Sequence, residues 1–178
     1  MKVRRVVTGH DGNGKAVFAS DEQVDPLTLA LIPGAEFHRL WGADRAPTFP
    51  DDGGPTAQPS YFPPLEGYRF ALFTVPPATV SAPADLDHQT ALAEMEVKLP
   101  GLLAHLEPDN PGMHTTDTID FEVVLSGEVI LELDDGIEKV LRAGDTVVQN
   151  GTRHRWGNRG TEPAVLAAVL IGAHRASE

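Results

Sequence analysis

The chain contains no cysteine among its 178 residues. This excludes disulfide bonds, thiolate nucleophiles and zinc or iron–sulfur sites built on cysteine. Cations are also scarce, since 14 lysines and arginines stand against 26 aspartates and glutamates and give a net charge of −12. A protein of this charge without a lysine- or arginine-rich stripe repels a phosphate backbone, so the sequence predicts no nucleic-acid partner.

Long apolar runs are absent as well. No stretch of about 18 consecutive apolar residues exists, which is the length that a membrane-spanning helix needs, so we expect no membrane partner. Residues 1–10 include basic residues but no apolar run of signal-peptide length, and a cytoplasmic location is therefore the expectation. The hydrophobic fraction of 41% is ordinary for a globular protein, and the length suits one domain, or one domain with an arm.

The composition divides the chain into three parts. Residues 1–67 contain short predicted strands followed by a loop, residues 68–172 form the main domain, and residues 173–178 are a tail. The predicted strands of the first part are Val3–Val7, Ala16–Ser20, Leu27–Ile32 and Glu36–Trp41. The loop, residues 42–67, is rich in glycine, proline and aspartate, and a loop of this length in a compact domain is usually functional or covers an edge. We expect it either to lie over the main domain or to pack on a neighbouring subunit.

Residues 85–99 carry the only strong helix pattern. Asp85 or Asp87 is a suitable N-cap, and the pair Pro100-Gly101 ends the helix. The apolar residues of this segment are expected to form one buried face, made of Leu86, Leu92, Met95 and Leu99.

Alternation with a period of two dominates the rest of the chain and predicts short strands. One hairpin joins Glu128–Leu133 to Glu138–Arg142 through a turn at residues 134–136. The even-numbered residues of segment 114–124 share one face of their strand, and the odd-numbered residues take the other. Many short strands with a single helix are typical of an all-β sandwich or barrel.

Two segments of the main domain combine turn glycines with residue types that bind metals. The first, Pro111–Gly127, places His114 at its start and Asp120 seven residues before its glycine. The second, Gly144–Asn158, contains Gly-Asp, a turn glycine and then His-x3-Asn. The pair resembles the two motifs of the cupin superfamily. The resemblance implies a jelly-roll-like double-stranded β-helix barrel at residues 68–172, with the N-terminal strands added to its sheets and one short helix.

The resemblance also implies a metal site. His114 takes the place of the first histidine of the pattern, Asp120 replaces its usual glutamate, and His154 matches the histidine of the second motif. Thr116 stands where the pattern has a second histidine. Two imidazoles and one carboxylate suit a divalent Zn, Fe, Mn, Ni or Co ion, among which the sequence does not choose. The alternative is a cupin without metal, in which both histidines form hydrogen bonds in the core.

Other residues near the motifs are candidates for the chemistry. Glu122 has the right strand parity for the barrel lumen and is a candidate general base whose pKa burial would raise, unless it is an exposed strand residue. His105 lies close before the first motif and is a second catalytic candidate, at the mouth of the cavity. Thr116, Gln149 and Trp156 are the candidate substrate-pocket residues.

These features support three hypotheses about function. The preferred one is a metal-dependent enzyme that acts on a small organic molecule without net redox change, as a dehydratase, decarboxylase, isomerase or cyclase. No tyrosine is evident near the motifs to manage an oxygen intermediate, so a non-haem Fe(II) dioxygenase is the second hypothesis and a non-enzymatic binding protein the third. The outward apolar row Phe121, Val123 and Leu125 further predicts a homodimer formed by sheet packing or strand exchange.

Overall fold

The computed structural model describes residues 2–176 of the chain. Residue 1 and the final residues of the predicted tail, 177 and 178, lie outside the described part. In chain order the elements are β1 (Val3–His10), β2 (Ala16–Val24), β3 (Leu27–Leu29), β4 (Ile32–Ala43), β5 (Tyr68–Val75), α1 (His88–Lys98), β6 (Thr118–Ser126), β7 (Glu128–Glu132), β8 (Glu138–Arg142), β9 (Thr146–Asn150), β10 (Arg155–Gly157) and β11 (Ala164–Gly172). Short 3₁₀ turns lie at Leu103–His105 and Asp134–Gly136.

Most strands belong to two sheets that pack against each other. The larger sheet has the order β3-β4-β5-β11-β6-β9, and the smaller one has the order β10-β7-β8. Both sheets contribute to one apolar core, which consists of Val75, Val124, Val129, Ala164 and Leu166. Strand β6 lies between β11 and β9, so its backbone is paired on both edges. This pairing fixes which residues of the first motif face the core.

The predicted alternation along the first motif is present in β6. Asp120, Glu122 and Val124 are buried, whereas Phe121 is 46% exposed on the opposite face. Side chains alternate between the two faces of a strand, so the exposed position of Phe121 and the burial of its neighbours have one geometric cause. The face that carries the two carboxylates therefore points into the space between the sheets.

The N-terminal strands take two different positions. Strands β1 and β2 form a separate hairpin, closed by a turn in which Gly14 has a positive φ of 77°. Strands β3 and β4 extend the larger sheet beyond β5. The residues between 27 and 43 are therefore part of the sheet that carries the first motif.

The predicted strand Leu27–Ile32 is wrong in one respect, because residues 30 and 31 form a tight turn between β3 and β4. Helix α1 holds this turn in place. The Ala30 N–H donates to the Glu94 carboxylate at 2.9 Å, and Lys98 Nζ donates to the Thr28 carbonyl at 2.7 Å. These contacts join residues far apart in the chain, which a local sequence pattern does not contain.

Helix α1 begins after Asp87, whose carboxylate accepts hydrogen bonds from two backbone N–H groups of the first turn at 3.0 and 3.3 Å. The predicted buried face is partly wrong, since Leu92 is 41% exposed and Ala91 is buried in its place. Ala91, Met95 and Leu99 are spaced by four residues and lie on the same side of the helix. Met95 and Leu99 pack with β3 in a second apolar cluster, which contains Leu29, Met95, Leu99 and Leu102.

Residues 44–67, which fall within the predicted loop, contact the larger sheet, and packing on a neighbouring subunit stays a prediction. Two arginines on the sheet hold the loop backbone: Arg39 Nη2 donates to the Gln58 carbonyl at 2.6 Å, and Arg69 Nη2 donates to the Ser60 carbonyl at 3.1 Å. Arg69 is itself almost fully buried, so its guanidinium needs these acceptors to offset the loss of water. The two arginines therefore fix the residues that follow, which reach the cavity described below.

The buried face of α1 leads to a prediction about stability. Met95→Ala should lower the free energy of unfolding by about 2–5 kcal/mol, because it leaves a cavity among buried apolar side chains. Leu92→Ala, a similar truncation on the exposed face, should change it by less than about 1 kcal/mol. Urea denaturation of the two variants measures this difference, and equal losses would mean that the helix buries another face.

Candidate active site

An apolar cavity of about 400 Å³ lies between the two sheets. Most of its lining is aliphatic or aromatic, and includes Phe37, Phe62, Phe73, Leu106, Trp156 and Leu170. The titratable residues of the lining are Tyr61, His114, Asp120, Glu122 and His154. A cavity of this size with few polar groups is typical of a site for a small organic ligand.

His114 and His154, called here the histidine pair, face each other across an isolated β-bridge. Each backbone N–H donates to the carbonyl of the other residue at 2.9 Å, and the ring centroids are 4.2 Å apart. Nδ1 of His114 lies 3.0 Å from the Gly112 carbonyl, and Nδ1 of His154 lies 2.9 Å from the Thr152 carbonyl. Because a carbonyl oxygen only accepts, Nδ1 carries the hydrogen in both neutral rings and Nε2 is left as an acceptor.

Burial lowers the pKa of both histidines. Desolvation is the main cause in each, and the charge of His114 adds to it for His154, whose pKa falls to about 4. The nearby His105 also lowers the pKa of His114. Both rings are therefore mainly neutral near pH 7, and each offers an Nε2 lone pair that can take up a proton or bind a cation.

Asp120 and Glu122, called here the carboxyl pair, form the second polar group of the cavity. They are two residues apart on the inner face of β6, and Asp120 Oδ1 and Glu122 Oε2 have no hydrogen-bond partner within residues 2–176. Glu122 is paired with Ala168 on β11, and Ala168 is paired in turn with Ala71 on β5. These two small side chains line the cavity and leave room beside Glu122.

Burial raises the pKa of both carboxyl groups. The pKa of Glu122 rises to about 8, first through desolvation and then through repulsion from Asp120. The pKa of Asp120 rises to about 6, because desolvation outweighs a hydrogen bond with Thr118 that favours the charged form. Near pH 7 the pair therefore holds a proton on Glu122 beside a mainly ionised Asp120. An acid and a base on one wall are the arrangement that proton-transfer catalysis needs.

Thr116, at the position where the cupin pattern has a second histidine, is outside the cavity lining. It is almost fully buried, and its hydroxyl lies 2.8 Å from that of Thr118. Since Thr118 is hydrogen-bonded to Asp120, the two hydroxyls form a chain that ends on the carboxylate. Thr116 therefore supports the carboxyl pair from behind and offers no donor atom to the cavity.

Tyr61 is a cavity residue that the sequence analysis missed. It lies on the loop 44–67, where its N–H donates to the Pro100 carbonyl at 2.8 Å and its ring packs edge-on against Phe62 at 5.0 Å. Burial raises the pKa of its hydroxyl, and the carboxyl pair raises it further. The phenol is therefore a hydrogen-bond donor close to that pair. The one sequence signal for it was the aromatic doublet within a loop rich in proline and glycine.

The other predicted residues divide into two groups. Trp156 lines the cavity, with its ring 6.1 Å from that of His154. Within the described part of the chain, His105 and Gln149 are outside the lining. His105 Nδ1 lies 2.9 Å from the Thr115 carbonyl, and Gln149 Nε2 donates to the hydroxyl of Thr152 at 2.7 Å. Local partners thus hold the polar groups of both residues, and a role of either residue in catalysis or substrate binding stays a prediction.

The donor atoms of the cavity suit a divalent metal in type, because they are imidazole nitrogens and carboxylate oxygens without partners. Their arrangement does not suit one: between residues 2 and 176, no group of three or more histidine, aspartate or glutamate side chains could hold one ion. His114, Asp120 and His154 all line the cavity, and their convergence on one metal ion stays a prediction.

Comparison with known proteins identifies the family. Residues 102–171 match the family model of the cupin domain. Over 127 residues the chain is 32% identical to oryzines biosynthesis cluster protein J of Aspergillus oryzae, an alignment that covers 62% of this chain and 71% of that protein. The chain belongs to the cupin superfamily. The fold class predicted from the two motifs is confirmed as well.

Other similar proteins differ in how much of this cupin they match. Phomopsin biosynthesis cluster protein C' of Diaporthe leptostromiformis is 38% identical over 95 residues, and the chain spans about half of its length (50%) and aligns over 46% of its own. The cupin-domain-containing oxidoreductase fogC of Aspergillus ruber is 26% identical over 183 residues, which cover 96% of this chain and 72% of that protein. A solved structure, named as a predicted oxalate decarboxylase from Thermotoga maritima, is 17% identical, covers 84% of this chain and 93% of its own, and has a TM-score of 0.46.

The helices of the structure bear on whether the chain contains a membrane-spanning segment. Within residues 2–176, this cupin has no helix that is both long enough and apolar enough to cross a membrane. A cytoplasmic location stays a prediction.

The buried Glu122 carboxyl predicts a specific dependence of stability on pH. Because its pKa rises from 4.5 to about 8 on folding, the folded state keeps a proton that the unfolded state releases between these values. The free energy of unfolding should therefore fall as the pH rises through this window. Glu122→Gln removes the titrating group, so its melting temperature should exceed that of the unmodified protein at pH 8.5 and differ little at pH 5.

Thermal melts over this pH range measure the effect. Glu162→Gln is the matched control, because the Glu162 side chain is exposed, and its pH dependence should equal that of the unmodified protein. A Glu122→Gln variant that keeps the full decline of stability toward high pH would show that Glu122 is ionised in the folded state.

Proposed function

We propose that this cupin catalyses a redox-neutral proton transfer on a small, largely apolar organic molecule, as a dehydratase, isomerase or cyclase. The observation that carries the proposal is the carboxyl pair, with two unpartnered oxygens on the wall of an apolar cavity. Buried titratable groups of this kind oppose folding and are typical of active sites. The names of two relatives, which refer to oryzines and phomopsin biosynthesis clusters, support a small organic substrate.

The carboxyl pair and Tyr61 have separate roles in the proposed reaction. The protonated Glu122 carboxyl donates its hydrogen to a carbonyl or hydroxyl oxygen of the substrate. The ionised Asp120 carboxylate takes a proton from the carbon adjacent to the one that carries that oxygen. The Tyr61 hydroxyl donates a hydrogen bond that becomes stronger as charge develops on the oxygen. The apolar lining lowers the local dielectric constant, which strengthens all three interactions.

Metal dependence is a separate question from proton transfer. The family resemblance implies a divalent ion at His114, Asp120 and His154, whereas the described residues offer no group of three such side chains that could hold one ion. The proposed proton transfer therefore uses only groups of the chain. Elemental analysis of protein purified without added metal, and activity after chelator treatment, decide whether an ion is also required.

Two other functions compete with this proposal. One is Fe(II)-dependent oxidation, which is favoured by the name of an oxidoreductase relative that aligns over 96% of the chain. The presence of Tyr61 in the cavity also weakens the sequence argument against oxygen chemistry, which depended on the lack of a nearby tyrosine. The other is non-enzymatic binding, which the apolar cavity supports without any catalytic step.

The proposed reaction predicts hydrogen exchange at carbon. In deuterated buffer with 2-tetralone, a neutral apolar ketone, the protein should accelerate exchange of the hydrogens next to the carbonyl, as followed by NMR. The rate should be highest near neutral pH, because Asp120 must be ionised and has a pKa of about 6, while Glu122 must be protonated and has a pKa of about 8. Asp120→Asn should lower the rate by about 10²–10⁴-fold.

Two variants and one further measurement distinguish the alternatives. Glu122→Gln should lower the exchange rate and remove its decline at high pH, whereas Glu162→Gln should leave the profile unchanged. Oxygen consumption with the same ketone, measured after iron is restored, tests oxidation. Oxygen consumption that needs both iron and the ketone, without hydrogen exchange on the ketone, would favour the dioxygenase. Ketone binding without exchange or consumption would favour the binding protein.

We also propose that this cupin forms a homodimer through the outer face of the larger sheet. Four exposed apolar residues there are direct cross-strand neighbours in one row, in the order Phe70, Val169, Phe121 and Val148. Exposed apolar residues that need no explanation are usually single and scattered over the surface. A continuous row of them on one sheet face is therefore typical of an interface. The row crosses strands β5, β11, β6 and β9, and a second copy of the same face would cover it.

The dimer proposal predicts the effect of one charge. Phe121→Glu should convert the dimer into monomers, because a carboxylate would be buried in the interface without a partner. Light scattering at micromolar concentration measures the mass. Val97→Glu is the control, since Val97 is exposed on α1, and its mass should match that of the unmodified protein. A monomer mass for the unmodified protein would overturn the proposal.

A further inference from the structure

The cavity lining includes carboxyl groups and imidazoles but, among residues 2–176, no permanently positive side chain. Within residues 2–176, neither a lysine nor an arginine is part of the wall. A carboxylate, sulfonate or phosphate that left water for this wall would lose its hydration and gain no counter-charge. Protein sites for such anions are commonly built from arginine, lysine or backbone N–H groups at a helix start. The chemistry of the wall is therefore unfavourable for an anion.

Two further polar side chains of the wall already have their hydrogen bonds within the protein. Thr74 Oγ1 accepts from the Glu36 N–H at 2.7 Å and donates to the Gly34 carbonyl at 3.2 Å. Asn158 donates through Nδ2 to the Val75 carbonyl at 2.9 Å and to another carbonyl at 2.8 Å, while its Oδ1 accepts from a backbone N–H at 2.8 Å. A ligand therefore finds its polar partners at the histidine pair, the carboxyl pair and Tyr61.

The shape of the wall indicates where the polar atom of a ligand lies. Ala71, Ala168 and Glu122 are direct cross-strand neighbours, so the space beside the carboxyl is bordered by two methyl groups. We infer that the cavity binds a neutral, largely apolar molecule, which places one oxygen at Glu122 and its apolar body against Ala71 and Ala168, and that it rejects carboxylates, sulfonates and phosphates. This inference specifies the substrate class of the proposed function and rests on it for catalysis. Neutral substrates of a dehydratase, isomerase or cyclase fit this wall, whereas the carboxylate of a decarboxylase substrate does not.

Two dyes that differ by one sulfonate group test the inference. N-phenyl-1-naphthylamine is neutral, and 8-anilinonaphthalene-1-sulfonate has the same ring skeleton with one negative charge. Fluorescence titration should give a dissociation constant for the neutral dye that is at least about tenfold lower, because the anion would be repelled by the carboxyl pair and find no cation. Equal affinity for both dyes, tighter binding of the sulfonate, or no binding of the neutral dye would overturn the inference.

Variants show whether the dyes bind in this cavity. Ala168→Leu fills the space beside Glu122 and should weaken binding of the neutral dye by about tenfold or more. Unchanged affinity in a folded Ala168→Leu protein would place the dye elsewhere and overturn the inference. Because Ala168 is buried, a second pair of variants uses exposed positions. Val80→Lys adds a cation to the lining and should narrow the difference between the affinities for the two dyes, whereas Val97→Lys, on the exposed face of α1, should not.

The dye experiment and the exchange experiment fail independently. A protein that binds the neutral dye in the cavity but exchanges no hydrogen on the ketone keeps the inference about ligand class and loses the proposed catalysis. A protein that exchanges hydrogen yet prefers the sulfonate dye keeps the catalysis and loses the inference. Loss of selectivity in Val97→Lys as well as in Val80→Lys would overturn the inference, since the overall charge of the protein rather than the cavity wall would then decide which dye binds.

Discussion

The register of β6 is the constraint on which both faces of the larger sheet depend. This strand is paired with β11 on one edge and with β9 on the other, and its side chains alternate between the faces. The inner face delivers Asp120 and Glu122 to the cavity, while the outer face delivers Phe121 to the exposed apolar row. A slip of one residue would exchange the two sets, so the proposed site and the proposed dimer face are coupled through one hydrogen-bond pattern.

Keeping the carboxyl pair inside the barrel opposes folding. A buried polar group without a partner costs about 1–3 kcal/mol, and two such oxygens lie on β6. Apolar neighbours offset this cost: Val124 lies one inner position further along the strand, and Leu166 is its cross-strand partner on β11. Each fully buried aliphatic side chain contributes about 1.5–3 kcal/mol. The apolar core next to the site thus allows the protein to hold groups that would be more stable in water.

The sequence allowed the inward face of β6, the two histidines and Trp156 to be predicted, because strand parity and motif spacing are local properties. The sequence did not reveal which other residues line the cavity. Gln149 is paired with Asp120 across the sheet, yet its amide is held by Thr152 and lies outside the cavity. Tyr61 has no periodic pattern around it, since its position depends on arginines from β4 and β5 that hold the loop backbone. Contacts between distant segments, which no local pattern contains, decide these cases.

Thr116, which stands where the first cupin motif has its second histidine, changes which polar atoms face the cavity. Through Thr118, Thr116 holds Asp120 in a hydroxyl chain, and the polar atoms left facing the cavity are those of the carboxyl pair, the histidine pair and Tyr61. Asp120 becomes neutral when it takes the proton, and among residues 2–176 the lining offers no lysine or arginine, so an oxyanion left on the substrate would have no counter-charge. Glu122 must therefore transfer its proton to the substrate oxygen as the carbon–hydrogen bond breaks, rather than only donate a hydrogen bond. The proposed chemistry is thus concerted acid–base catalysis, in which the raised pKa of Glu122 supplies the proton near neutral pH.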